Sequence, residues 1–331
     1  MHSAARAQAA RPIPKGLKGL SVASVISMFI VQLMGTLVTK TGSAEGCGAS
    51  WPLCDGQWLP APTMESLIEY SHRLVSGVAG ILVVAMAVLA WRAYRDRRDI
   101  RMLVAGAVLF IVIQSALGAA AVLWPQPKAV LALHFGISLI AFVLVVLPTA
   151  VMFQLEKGQT FRSAPVSDRL RRWIWAAAIY TYGVVYSGAY VRHTNSHIAC
   201  LDWPLCNGAL IPELSGAVGI QFAHRLAAAG ALVVIAAMGH IAKKEREVRP
   251  DLFWGGVASL ALIIGQVLSG GWVILSRLTL TAMMVHSAII TALFGVLGYL
   301  CLQVTREPQP EAVPAPGATP EGALGASSSG S

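Results

Sequence analysis

Glu69-Tyr70-Ser71-His72-Arg73 opens a long apolar run with an acid and an imidazole three residues apart, and 152 residues on Gln221-Phe222-Ala223-His224-Arg225 opens another. A second histidine, His134, recurs at the same offset as His286. The sequence on either side is also repeated. Gly35-Thr36-Leu37-Val38-Thr39-Lys40-Thr41-Gly42-Ser43 leads into Cys47-Gly48-Ala49-Ser50-Trp51-Pro52-Leu53-Cys54. The later copy runs Gly188-Ala189-Tyr190-Val191-Arg192-His193-Thr194-Asn195-Ser196 and then Cys200-Leu201-Asp202-Trp203-Pro204-Leu205-Cys206. One residue fewer between the first cysteine and the tryptophan changes the offset from 153 to 152. Gln114-Ser115-Ala116-Leu117-Gly118 pairs in the same way with Gln266-Val267-Leu268-Ser269-Gly270. The chain is a tandem duplication, and each copy carries one pair of histidines.

The composition places both copies in a membrane. Hydrophobic residues make up 56% and charged residues 12% of 331, against about 45–50% and about 25% in soluble domains. Apolar runs of about twenty residues, enough to cross a hydrocarbon core of roughly 30 Å, lie near 20–39, 69–90, 102–124, 129–153, 173–191, 218–242, 252–275 and 279–303. They lack the alternation of barrel strands, so they read as helices. The expected fold is an all-α integral membrane protein whose eight transmembrane helices form two tandem four-helix bundles. Each copy crosses an even number of times, so a pseudo-twofold axis along the membrane normal should relate the two.

Charge sets the orientation. The N-terminus, the loops after spans two, four and six, and the tail hold 19 of the 25 Lys and Arg residues, which puts both termini in the cytoplasm and the cysteine loops outside, at the plasma membrane. The net charge of +9 reads as topology and contact with anionic lipid, with no call for nucleic acid. The expected divisions are a cytoplasmic arm (1–16), a first bundle (17–153), a linker (154–172), a second bundle (173–303) and a tail (304–331). The tail is rich in Pro, Gly, Ala and Ser, a composition that cannot bury enough apolar surface to order itself.

His72 and His134 fall within about two turns of the outer ends of their helices, and so do His224 and His286. Each bundle thus presents two imidazoles at one level, and two facing imidazoles can fill both axial positions of a haem iron. A hydrogen bond between helices is the plainer use of one membrane histidine, but four at matched positions argue for function. Zinc fits less well, because a closed site wants four ligands. Arg73 and Arg225 are candidate contacts for haem propionates or for lipid phosphate. Gln114 and Gln266 either line the cavity or bridge helices. Cys47 with Cys54, and Cys200 with Cys206, lie in the oxidising compartment, where close pairs form disulfides, as structural staples or as electron relays. Trp51 and Trp203 would anchor the loops at the interface, and Cys301 reads as inert core. His2, His193, His197 and His240 have no counterpart in the other copy and receive no role.

The halves differ at one chemically decisive position, Glu69 against Gln221. A carboxyl beside a bound haem can act as acid, base or electrostatic stabiliser, and an amide cannot carry the proton. A surface glutamate favoured by the helix dipole is the plainer alternative.

These motifs, over about 17–303, resemble those of haem A synthases of the cysteine-containing bacterial type. The resemblance implies an enzyme that oxidises the C8 methyl of haem O to the formyl of haem A by successive hydroxylations and loss of water. It implies a resident haem b cofactor on His224 and His286, the substrate haem on His72 and His134, and Glu69 as the essential carboxylate. It further implies a place in cytochrome oxidase assembly, with a haem O synthase upstream and an electron donor the sequence does not identify; a homo-oligomer is compatible with it. Two other classes stay open: a dihaem b-type electron-transfer cytochrome with no chemistry on the haem, and a transporter built from parallel repeats.

Overall fold

The computed structural model describes residues 10–158 and 165–305. Among these residues the fold is all helical, with eight long helices: α1 (Lys15–Thr41), α2 (Met64–Ala93), α3 (Arg98–Leu123), α4 (Lys128–Glu156), α5 (Asp168–His193), α6 (Gly216–Lys244), α7 (Pro250–Leu275) and α8 (Leu280–Thr305). Each overlaps one expected apolar run, and most extend a few residues beyond it at each end. The extensions carry polar residues that belong to the headgroup region. The expected tail begins inside the last turn of α8, at 304–305; the rest of it, the start of the arm and the middle of the linker lie outside the described residues.

Seven of the eight helices are long and apolar enough to cross a membrane; α5 is the exception. Its length is ample at 26 residues. What lowers its hydropathy is Tyr180, Tyr182, Tyr186 and Tyr190, whose ring bodies are apolar but whose hydroxyls are not.

Local signals account for the helix ends. Thr63 caps α2 by accepting the Ser66 N–H at 3.3 Å, and Ser167 caps α5 by accepting that of Leu170 at 3.2 Å. α1 stops at Gly42, which takes the left-handed conformation (φ 72°). At the starts of α3 and α7 the duplication shows again: Arg97 pairs with Asp99, and Arg249 with Asp251, each at 2.8 Å.

Helices α1 to α4 pack on one another in sequence and α4 returns to α1; α5 to α8 do the same, and α1 meets α8 where α4 meets α5 and α8. Two apolar cores result. One holds Met28, Val83, Met86, Ile100, Val145 and Met152; the other is built on Leu170, Ile174, Ile235, Met238, Leu252 and Leu297. Van der Waals packing and polar links, more than water exclusion, hold helices together in lipid. Polar links join α1 to the second half: Thr36 Oγ1 lies 2.7 Å from Ser287 Oγ, and Arg192 donates to the Thr39 carbonyl at 2.7 Å. Apolar side chains such as Ile81, Leu109, Ile179 and Val233 are exposed on the outer surface, as a lipid-facing surface requires.

Candidate functional site

His72 lies in the third turn of α2 and His134 in the second turn of α4; His224 and His286 hold the same positions on α6 and α8. His72 is within electrostatic reach of His134, and His224 of His286. Each imidazole edge rests against a glycine of the preceding helix. A Cβ on Gly35 would lie 3.7 Å from His72 Cε1, one on Gly118 3.7 Å from His134 Cε1, and one on Gly270 3.4 Å from His286 Cε1. At Gly188 the approach is closest, 2.8 Å to His224 Cε1 and 3.2 Å to Nε2. The missing side chains let the rings lie flat between helices, so four glycines that the repeat alignment brings into register shape the two sites.

The glutamines also pair with histidines. Gln114 Nε2 donates to His134 Nε2 at 3.0 Å, and Gln266 Nε2 to His286 Nε2 at 3.0 Å. Each amide thus meets both expectations, lining the site and bridging two helices. The two halves part company at Nδ1. His224 Nδ1 is 2.8 Å from Ser187 Oγ and His286 Nδ1 is 2.9 Å from Ser269 Oγ. In the first half His72 Nδ1 is buried without a partner, and His134 Nδ1 has only the Gln114 amide at 3.5 Å. These serines escaped the motif reading because serine is common in membrane helices. Their signal was in the repeat alignment, where Met34 and Leu117 stand opposite them.

Glu69 is 4% exposed, and its side chain turns up to the disulfide loop. Its Oε2 accepts the Cys47 N–H at 2.9 Å, while Oε1 accepts from Arg73 Nη2 at 2.5 Å and Nε at 3.2 Å. Gln221, 3% exposed, repeats the contact with the loop: Oε1 accepts the Cys200 N–H at 2.7 Å, and Nε2 donates to the carbonyls of Cys200 and His197. Both arginines point at loop carbonyls. Arg73 donates to Ser50 at 2.8 Å and Leu53 at 2.7 Å, and Arg225 donates to Cys200 at 3.1 Å and to Leu205. Only the first half has a carboxylate in this clamp.

The Cys47 and Cys54 sulfurs are bonded, as are those of Cys200 and Cys206, and Cys301 is buried and free. The Trp203 ring lies on Gly271 of α7, with its nearest atom 3.0 Å from where a Cβ would stand, whereas Trp51 is 47% exposed. Asp202 accepts the N–H groups of Asn207 at 2.6 Å and Gly208 at 2.8 Å. Those amides hold its carboxyl below the ordinary range, with the Gly208 bond first. In the same loop, burial and then the Arg192 guanidinium lower the His197 imidazole.

Among the described residues no three His, Cys, Asp or Glu side chains come together as a metal-binding group. Each site therefore offers a pair of imidazoles. Buried polar atoms without partners, His72 Nδ1, Gln114 Oε1 and Gln266 Oε1, line these pairs. Such atoms are costly in a dry interior unless a ligand meets them, and paired nitrogen donors with polar flanks suit a haem.

Comparison with known proteins agrees with this chemistry. The chain is similar to the heme A synthase of Symbiobacterium thermophilum, 45% identical over 300 residues that cover 88% of this chain and 98% of that protein. Heme A synthases of Geobacillus kaustophilus (43% over 293 residues; 88% and 92%) and Bacillus licheniformis (44% over 296 residues; 88% and 97%) match over similar spans. The COX15-CtaA family, described as cytochrome oxidase assembly protein, matches residues 61–297. With the duplicated histidine pairs in place, the chain belongs to the COX15-CtaA family.

Proposed function

We infer that this protein is a haem A synthase, an oxidoreductase that converts the C8 methyl of haem O to the formyl of haem A. The observation that carries the reading is the unequal duplication: two imidazole pairs at repeated positions, with a buried carboxylate three residues before His72 on the same helix and an amide at the matching place before His224. Eight spans would form two four-helix bundles, 17–153 and 173–303, related by a pseudo-twofold along the membrane normal, with a cytoplasmic arm (1–16), linker (154–172) and tail (304–331) and the cysteine loops outside. The helix contacts, the two cores and the Lys and Arg distribution support this arrangement.

The substrate haem binds on His72 and His134, and a resident haem b on His224 and His286. Bound haem supplies iron-centred oxidising chemistry. The remaining work belongs to the chain. Two hydroxylations turn the methyl into a geminal diol, and loss of water from the diol gives the aldehyde. Glu69 lies at the outer lip of the first site, and its carboxylate oxygens can take up or return the proton moved in that dehydration. Arg73 holds it in place. Gln221 offers the same loop contact without a titratable proton, so the second half keeps the architecture and lacks the acid. A haem O synthase is the upstream partner implied by the substrate; written with dioxygen as oxidant, each hydroxylation consumes one O2, two protons and two electrons from a separate donor and releases one water.

Pigment extraction with pyridine-haemochrome analysis of the purified protein tests this reading. The expected result is haem b together with haem O or haem A. His224→Ala or His286→Ala should strip haem b, and His72→Ala or His134→Ala should abolish turnover with haem b retained. Equal loss of haem b from all four variants would contradict the division, and persistent haem O with no formyl product would favour an electron-transfer cytochrome.

A further inference from the structure

Each imidazole of the second pair has a hydroxyl at Nδ1, and each hydroxyl also reaches a carbonyl of its own helix. Ser187 Oγ donates to the Val184 carbonyl at 2.8 Å, and Ser269 Oγ donates to the Gln266 carbonyl at 2.9 Å. When each hydroxyl proton stays on its helix carbonyl, the oxygen accepts from the imidazole beside it, so that His224 and His286 carry their protons on Nδ1 and present Nε2 as the lone pair. Gln266 Nε2 meets His286 at Nε2, consistent with the same tautomer, but Gln114 does the same for His134, so it is the hydroxyls at Nδ1 that separate the two halves. The first pair has no hydroxyl in these places. Met34 and Leu117 occupy the corresponding positions, and His72 Nδ1 is buried and unpaired.

A ligand imidazole whose far nitrogen is anchored keeps its orientation and becomes a stronger donor, and loss of the anchor commonly weakens metal binding 10- to 100-fold. A second difference points the same way. Trp203 packs onto Gly271 above the second bundle, whereas the first half has Ala119 opposite that glycine and an exposed Trp51.

We propose that Ser187 and Ser269 are positioning residues that make the second pair a retaining site for one haem, and that Met34 and Leu117 leave the first pair an exchanging site through which substrate enters and product leaves. The inference rests on the assignment of the resident haem to the second half. It adds which atoms make one of two equivalent pockets permanent.

The test uses the purified full chain with its bound haem. Ser187→Ala, Ser269→Ala and the double variant are challenged with excess apomyoglobin, and the rate of haem transfer and the midpoint potential are recorded. Each alanine should speed haem loss about 10- to 100-fold and raise the potential, because the ferric state loses a strengthened donor. Ser→Thr variants retain a hydroxyl that can bond back to the helix and should stay close to the parent. Alanine variants that hold haem at the parental rate and potential overturn the proposal. His224→Ala and His286→Ala are run in parallel. If neither loses haem b, the assignment of the second half has failed; if both lose it while the serine variants are silent, only the positioning role has failed. Should the double variant not fold, Leu117→Ser decides. It should lower kcat by slowing product release while KM falls or holds, and an unchanged kcat would count against the proposal.

Discussion

Replacing Glu69 by Gln separates the two jobs its position permits. The carboxylate accepts one bond from the Cys47 N–H and two from Arg73. If the amide oxygen stays on Cys47, as Gln221 does on Cys200, the NH2 group faces the guanidinium and both Arg73 bonds are lost. Breaking a buried pair costs about 3–5 kcal/mol when the remaining charge has nothing else. Arg73 has more: Ser50 and Leu53 carbonyls at 2.8 and 2.7 Å stay in place. Charge-assisted bonds are worth roughly 1.5–3 kcal/mol, so a loss of about 2–3 kcal/mol is expected. The second half already folds with Gln221 and Arg225 in these positions, which makes a docked loop reasonable in the variant. Haem b content should therefore hold, while conversion of haem O falls by about 10²–10⁴-fold, the span of a removed general acid or base. Thermal unfolding in detergent and chromatography of extracted haems give the two numbers. Wild-type conversion together with the expected loss of stability would show that Glu69 is a loop clamp and nothing else, and would refute the catalytic reading.

Three further outcomes follow from the geometry. Gly188→Ala places a Cβ 2.8 Å from His224, an overlap costing about 1–3 kcal/mol against about 0.5–1 kcal/mol gained by removing a helical glycine; the resident haem spectrum should change, while Gly35→Ala, with 3.7 Å of room, should be neutral or slightly stabilising. Asp251→Ala leaves Arg249, 2% exposed, without its partner and should cost about 3–5 kcal/mol in a detergent melt, more than Asp99→Ala, whose pair is less buried. Asp202 has a carboxyl depressed by backbone N–H groups in the fold, so its contribution to loop order is present above about pH 4 and is lost as pH falls through the lower folded value. Amide exchange at Asn207 and Gly208 should lose protection over that acidic range, and Asp202→Asn should remove the dependence; an identical profile in the variant would sink this account.

The helices were legible because lipid leaves the backbone few alternatives, and an apolar run near 129–153 has to become something close to α4. The histidine pairs were legible because they recur. The direction of a side chain was harder to read. Spacing puts Glu69 on the helical face of His72, yet a helix neighbour four residues on, Arg73, can draw the carboxylate up to the loop, and such i,i+4 attractions are local while the loop carbonyls that complete them are not. The serines were hidden for a related reason. A hydroxyl on a membrane helix usually bonds back to its own chain, as Ser187 and Ser269 do, and only the imidazole packed beside it from another helix turns that bond into a tautomer lock.

Duplication leaves two imidazole pairs at matched positions, and an enzyme whose substrate and cofactor are both haems must still tell them apart. Helix order offers little, because each pair is carried on the second and fourth helices of its repeat. Lifetime offers more. A factor of 10–100 for each anchored imidazole corresponds to about 1.4–2.8 kcal/mol, and two anchors in series would separate the dwell times by 10²–10⁴. On the proposed assignment, two hydroxyls in one half, where the other has a thioether and an isobutyl group, would be enough to make one haem a fixture and the other a passing substrate. On the proposed assignment a carboxylate serves only the pocket that turns over, and Glu69 stands in that half.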